Sequence, residues 1–241
     1  MKFMRLRFML ALMLTSISAI ALGAADEIEA VKAGLQKMLP EMRIDRIGQS
    51  PVPGLYEVVF GTRIIYVSKD GNYLIQGDLF DAGTRQNMTA PVVAKLRLGA
   101  IESIGEQQMV VFSPQETKYT ITVFTDIDCP YCRKLHQDIP ALNANGVKVR
   151  YLLYPRAGLN SESYRKSMAV WCAEDSNAAL TKAKAGEPIE MKSCDNPVKK
   201  HMELARAVGV TGTPTIVFEE SGEVLPGYVP VERLMGMLSA E

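Results

Sequence analysis

The stretch TDIDCPYCRKLH, Thr125 to His136, places Cys129 and Cys132 three residues apart, between an apolar run and a segment with helical spacing. Two thiols at that separation can pass a disulfide between themselves and a third sulfur. A cysteine that follows a strand and opens a helix meets unpaired backbone N–H groups and the positive end of the helix dipole, and both favour its thiolate. Cys129 is therefore the expected nucleophile. Cys132 lies one helical turn inward, within reach of a mixed disulfide at Cys129, and is the expected resolving thiol. Pro130 suits the first helical position, where a fixed φ helps and the missing N–H costs little. Tyr131 offers an apolar ring beside the sulfur. Asp128 pulls the other way, because a neighbouring negative charge disfavours a thiolate. The Cys129 pKa is expected below its ordinary value, but less so than without Asp128.

Other uses of a CxxC fit less well. Half of a zinc site would need a second close pair of ligands, and Cys172 and Cys194 are too far apart in sequence, while His136 and His201 complete no ligand pattern. No metal site is expected, and no cofactor. Arg133 rather than histidine follows Cys132, so the c-type haem signature fails. A second element strengthens the redox reading. Thr211-Gly212-Thr213-Pro214 leads straight into the apolar run TIVFEE, and an X–Pro bond at such a turn can be cis at small cost.

The elements that must position these residues can be read from periodicity. From Lys118 the chain alternates: KYTITVF as a strand, 130–142 as a helix, VKVRYLLY as a strand, and 161–173 and 197–208 as helices. TIVFEE and GEVLPGY then form a hairpin about Ser221-Gly222, and VPVERLMGML closes with a helix. This predicts a mixed sheet with helices over 109–241, a layout that resembles thioredoxin. Upstream, 89–103 is expected as a connector helix within a linker over 86–108, with Thr89 as candidate N-cap and Pro91 in its first turn. Before it, residues 26–85 carry one short helix over 27–39 and three strand runs, GLYEVVF, TRIIYVS and NYLIQGDLF. The fold class is thus α+β. So small an N-terminal domain is a marginal lone core and is expected to share surface with a second copy.

Composition and address set the setting. With 47% hydrophobic residues and 27 basic against 27 acidic side chains, the chain can bury a core and has no polycationic surface for nucleic acid. Lys2, Arg5 and Arg7 precede an apolar run from Phe8 to Leu22, and Gly23, Ala24 and Ala25 follow: a signal peptide over 1–25. The mature chain is expected in a bacterial periplasm, without stable membrane insertion, where disulfides persist. Four cysteines allow three pairings. Closeness in sequence favours Cys129 with Cys132, which leaves Cys172 with Cys194 across a loop of about 21 residues, a link of ~3 kcal/mol by loop entropy.

In combination, PVPGLYEVV, YLIQGDLFD, ITVFTD before the CxxC and CRKLH after it, YPRAGL, WCAEDSNAA, SCDNP, VGVTGTPTIV and LPGY resemble the DsbC-type periplasmic disulfide isomerases across essentially the whole mature chain. The resemblance implies a V-shaped homodimer joined through the N-terminal domains, with two thioredoxin-like domains facing a cleft. It implies Cys172–Cys194 as a buried structural bridge, and an active face of Cys129, Cys132, Thr213 and Pro214, with Pro130 and Tyr131 beside the client. It further implies misoxidised or unfolded exported proteins as clients, a membrane thiol reductant of DsbD type, and chaperone activity alongside isomerisation. Gly77, read as lying inside the strand NYLIQGDLF, is expected at the dimer interface, since glycine in a strand often marks close approach of another backbone. The dipeptide between the cysteines departs from the family's usual Gly-Tyr; Pro-Tyr occurs in DsbG-type relatives, so a DsbG-like reductase and a dedicated thiol oxidase stand as alternatives.

Overall fold

The computed structural model describes residues 25–240, so the expected signal peptide lies outside them apart from Ala25. Two compact units divide after Thr89.

The first unit opens with helix α1 (25–38) and continues as an antiparallel sheet in chain order: β1 (Arg46–Gln49), β2 (Leu55–Phe60), β3 (Arg63–Ser68) and β4 (Leu74–Ile75). Helix α1 buries Val31 and Leu35 against Tyr56, Val58, Ile65 and Val67, one alternating face of the β2–β3 hairpin. The helix approaches the β3–β4 turn backbone to backbone. A Cβ on Gly34 would stand 2.0 Å from the Gly71 carbonyl oxygen, and Gly71 itself sits at φ 72°, a conformation glycine adopts without penalty.

Here the strand expected through Gly77 is corrected. Strand β4 stops at Ile75, and Gly77 lies in a bend at φ 150°, where the pleat cannot continue. No neighbour lies within 4 Å of the position a Cβ would take there. The chain pairs again only as a single bridge, Phe80 with Asn87. Strand β1, not expected, pairs Arg46–Gln49 with Tyr56–Val59.

The second unit begins with helix α2 (Ala90–Glu102), so the expected connector packs within this unit. It buries Ile101 beside Phe124, Leu152 and Val217, and Arg97 donates to the Gly222 carbonyl. A five-stranded mixed sheet follows in the order β5-β7-β6-β8-β9: β5 (Val110–Phe112), β6 (Tyr119–Thr125), β7 (Val147–Leu153), β8 (Thr215–Phe218) and β9 (Val224–Pro226). Strands β6 and β7 run parallel, and the other pairs run antiparallel. Both faces are covered, so alternation along each strand sorts residues between two cores rather than between core and water. Ile121, Val123, Val149, Tyr151, Ile216 and Phe218 enter one core; Phe124, Leu152 and Val217 enter the other.

Helices α3 (Pro130–Gln137), α4 (Ile139–Ala144), α5 (Glu162–Trp171), α6 (Ser176–Ala185), α7 (Val198–Ala207) and α8 (Val231–Leu238) complete the unit. The single helix expected over 130–142 is two. It breaks at Asp138, which ends α3 and starts α4, with Pro140 in the first turn of α4. Caps fix α5 and α6: the Ser161 hydroxyl accepts from the Tyr164 N–H and the Asp175 carboxylate from the Ala178 N–H. A disulfide joins Cys172 to Cys194, so the segment carrying α6 is closed at both ends.

Candidate active site

Cys129 is the N-cap of α3, extended at φ −80° and ψ 122°, with Pro130 following as the first helical residue. Strand β6 delivers it to the end of the sheet, and the tight turn of Ile127-Asp128 swings it onto the helix terminus. Across from it, the loop before β8 carries a cis peptide bond between Thr213 and Pro214. The Cys129 thiol donates to the Thr213 carbonyl at 3.2 Å. Cys129 and Cys132 are both free and both buried, while Tyr131 between them is 64% exposed. The four residues expected to form the active face are thus brought together.

The two sulfurs have unlike environments. Burial pushes the Cys129 thiol up, but Thr213, the backbone N–H and thiol of Cys132, and the positive charge of Arg156 outweigh it, so its pKa is lowered. The Thr213 hydroxyl is buried without a hydrogen-bond partner, and Thr213 favours the thiolate of both cysteines. Cys132 lies deeper. Burial there dominates and raises its pKa, against the charge of Lys184 and hydrogen bonding from the Asp126 backbone and the Thr125 and Thr213 side chains. The Cys129 thiolate is favoured, and the Cys132 thiolate behind it is disfavoured.

Asp128 does not oppose Cys129 in the way its position in sequence suggests. Its carboxylate accepts from Lys166 at 3.0 Å and Arg133 at 3.4 Å, and these cations take up its charge. Asp126 is the structural acid of the site. Its two oxygens accept from the Asp128 N–H, the Ser163 hydroxyl, and the Arg156 backbone N–H and guanidinium. Burial works against that carboxylate, but these bonds hold its pKa below the usual range. The same bonds bring Arg156, from the loop after β7, to the side of Cys129.

Beneath the sulfurs lies Lys184 of α6, 3% exposed, donating to the Thr125 hydroxyl at 2.8 Å and the Asp126 carbonyl at 3.3 Å. His136 shares this layer, between the Tyr151 hydroxyl at 3.2 Å and the Thr181 hydroxyl at 3.1 Å. Sequence reasoning missed Asp126, Arg156 and Lys184. Asp126 and Arg156 stand in stretches already singled out, ITVFTD and YPRAGL, but their pairing spans 30 residues of chain. Lys184 has no signal, since a lysine in a helix reads as solvated. Gly77 belongs to the first unit.

The comparisons agree with this geometry. The family model described as a thioredoxin-like domain matches residues 105–240, and that described as a disulfide bond isomerase protein N-terminal domain matches 22–90. The thiol:disulfide interchange protein DsbC of Escherichia coli K12 is 36% identical over 98% of this chain and 96% of its own length. That of Haemophilus influenzae is 37% identical over 92% of this chain and 96% of its own. Among solved structures, a disulfide interchange protein from Neisseria gonorrhoeae aligns with 56% of this chain and 96% of its own, at 29% identity and a TM-score of 0.51. With relatedness running end to end through both units, and with a thiol pair facing a cis-proline loop, the chain belongs to the DsbC family.

Proposed function

We propose that the protein is a periplasmic thiol:disulfide isomerase that reshuffles and reduces wrong disulfides in exported proteins. The observation that carries this is the contrast between its two thiols: Cys129 at a helix N-terminus with a lowered pKa, and Cys132 buried behind it with a raised one. The Cys129 thiolate attacks one sulfur of a client disulfide, forming a mixed disulfide and expelling the other sulfur as a thiolate. A client thiolate then attacks a different sulfur and leaves Cys129 reduced, which is isomerisation. Otherwise Cys132 attacks Cys129, the client leaves reduced, and a Cys129–Cys132 disulfide remains. A membrane thiol reductant of DsbD type returns that pair to the dithiol.

Client contact falls to Pro130, Tyr131, Thr213 and Pro214, with the exposed Tyr131 ring as the apolar element. The Cys172–Cys194 bridge is structural, holding α6 in place. The protein acts as a homodimer through its first unit. Support comes from the edge strand β4 and the chain on either side of it, where Ile75 in the strand and Tyr73 and Phe80 flanking it are all exposed, an arrangement a lone domain ordinarily avoids. Refolding of scrambled ribonuclease tests the reading. Recovery of activity with the wild-type protein and none with Cys129→Ala is expected; equal recovery with both would leave only a chaperone.

A further inference from the structure

We propose that Lys184 serves the resolving thiol, taking the proton of Cys132 through the Thr125 hydroxyl and then facing the thiolate as its counter-charge. This rests on the assignment of Cys132 as the resolving thiol.

A buried lysine demands an explanation, because removing an ammonium from water is costly unless it is paired. Among the described residues no carboxylate pairs with Lys184. Its hydrogen bonds go to a hydroxyl, Thr125, and a carbonyl, Asp126. The Tyr151 ring lies 5.8 Å from Nζ. Both groups that hold Nζ, the Thr125 hydroxyl and the Asp126 backbone, also favour the Cys132 thiolate, so lysine, hydroxyl and sulfur share one buried layer. A hydroxyl in the middle can pass a proton either way, donating to whichever end lacks one.

The charged groups around Nζ set the balance. Burial lowers the Lys184 pKa to about 8, the Cys132, Asp126 and Cys129 sites raise it again, and Arg133 opposes them. His136, on the same side of α3, stays neutral because burial and the Lys184 charge hold its pKa at about 4. Near neutral pH the lysine can therefore give or take a proton, while the thiol it serves is otherwise held protonated.

Each step balances. With a client joined to Cys129, the Cys132 thiol loses its proton to neutral Lys184, leaving a thiolate beside an ammonium. That thiolate attacks the Cys129 sulfur. The Cys129–Cys132 bond forms, the bond from Cys129 to the client breaks, and the client sulfur leaves with the electron pair to be protonated by water. When the reductant later opens the pair, Cys132 departs as a thiolate and recovers its proton from Lys184. A groove lined by His136, Thr181, Ile139 and Lys184 opens beside this layer.

The test follows release of glutathione from a preformed Cys129–glutathione disulfide of the full chain between pH 6 and 10. Wild type should inflect near the lysine's value of about 8; an inflection at or above pH 9 would overturn the inference. Lys184→Met removes charge and base at similar volume. Lys184→Gln keeps a donor for Thr125 but carries no proton to exchange. Both should move the inflection to higher pH and slow release at pH 7 by about tenfold, the effect of a one-unit shift. Attack by Cys129, measured in a Cys132→Ser background, should slow by less than release does, because Cys129 acts on Lys184 more weakly than Cys132 does. A profile unshifted in either folded variant, with circular dichroism and the Cys172–Cys194 bridge intact, means that the lysine is only structural. Release from Cys132→Ser at the wild-type rate would instead overturn the resolving role itself.

Discussion

Beyond Thr213 and Cys132, one cation favours the Cys129 thiolate. Arg156 adds positive charge beside the sulfur, and Asp126 holds it there with a bond of 3.0 Å. Replacing Arg156 by methionine should move the Cys129 thiolate absorbance transition to higher pH and slow attack on a small disulfide several-fold at pH 7. An unchanged transition would assign the lowered pKa to the helix terminus and Thr213 alone. At this scale the sequence was informative where chemistry is local. The CxxC, the proline after the first cysteine and the TGTP turn are all short-range, and the structure brings them to one face. Asp126, Arg156 and Lys184 act across 30 or more residues of chain, and no local pattern encodes such pairs. Asp128 shows the opposite failure: adjacency to Cys129 suggested an electrostatic role, but Lys166 and Arg133 absorb its charge.

Elements were legible where periodicity is strong and lost where packing decides. Strand β6 is a run of β-branched and aromatic residues, β7 sets Val147, Val149 and Tyr151 in alternation, and both were expected. Helix α6, SNAALTKAKA, has apolar residues without a clean stripe, and β1, RIGQ, has a single apolar residue among its four; neither was expected. The break between α3 and α4 is hidden because Leu135, Ile139 and Leu142 keep helical spacing across it and all enter one core. The close crossing of α1 over the β3–β4 turn is likewise invisible in the sequence, since Gly34 looks like a helix liability rather than a contact. Gly34→Val should force α1 off the turn and destabilise the first unit by about 1–3 kcal/mol or more. Denaturant unfolding should then show an early transition with the second unit retained. A midpoint that does not move would show that helix and turn separate without cost.

Over the whole molecule, two buried histidines set a limit in acid. The His201 ring accepts from the Leu153 N–H on Nδ1 and meets the Gln108 carbonyl with Nε2 at 2.8 Å, so it carries one proton and has no room for a second. Burial lowers the pKa of both His201 and His136 from 6.5 to about 4. A depressed histidine pKa means that the unfolded chain binds the proton first. The stability is therefore complete above pH 6.5, falls as pH drops, and is fully lost below about 4, by about 3 kcal/mol for each ring. Melting temperature should decline across that window, and His201→Gln should flatten the decline. A flat profile between pH 6.5 and 4 would contradict the buried neutral state. Assembly can be tested on the same scale. Gly77 has open space around it, but its φ of 150° makes any side chain there a strain as well as an obstacle. Ile75→Arg is the cleaner probe of the β4 edge. Sedimentation should give a folded monomer that retains dithiol reactivity and loses most isomerase activity, whereas a dimer at micromolar concentration would place the interface elsewhere.

The Cys129 sulfur proposed as the nucleophile belongs to a residue only 2% exposed. On the function proposed above, a client brings its disulfide inward, threading a short stretch of chain past Tyr131 to the cis-proline loop. A crosslink locked inside a finished domain cannot make that excursion, whereas one in a loose, wrongly joined chain can. Discrimination between right and wrong crosslinks then needs no reading of side chains. The recess acts as a sieve for slack, and a client becomes invisible to it upon folding.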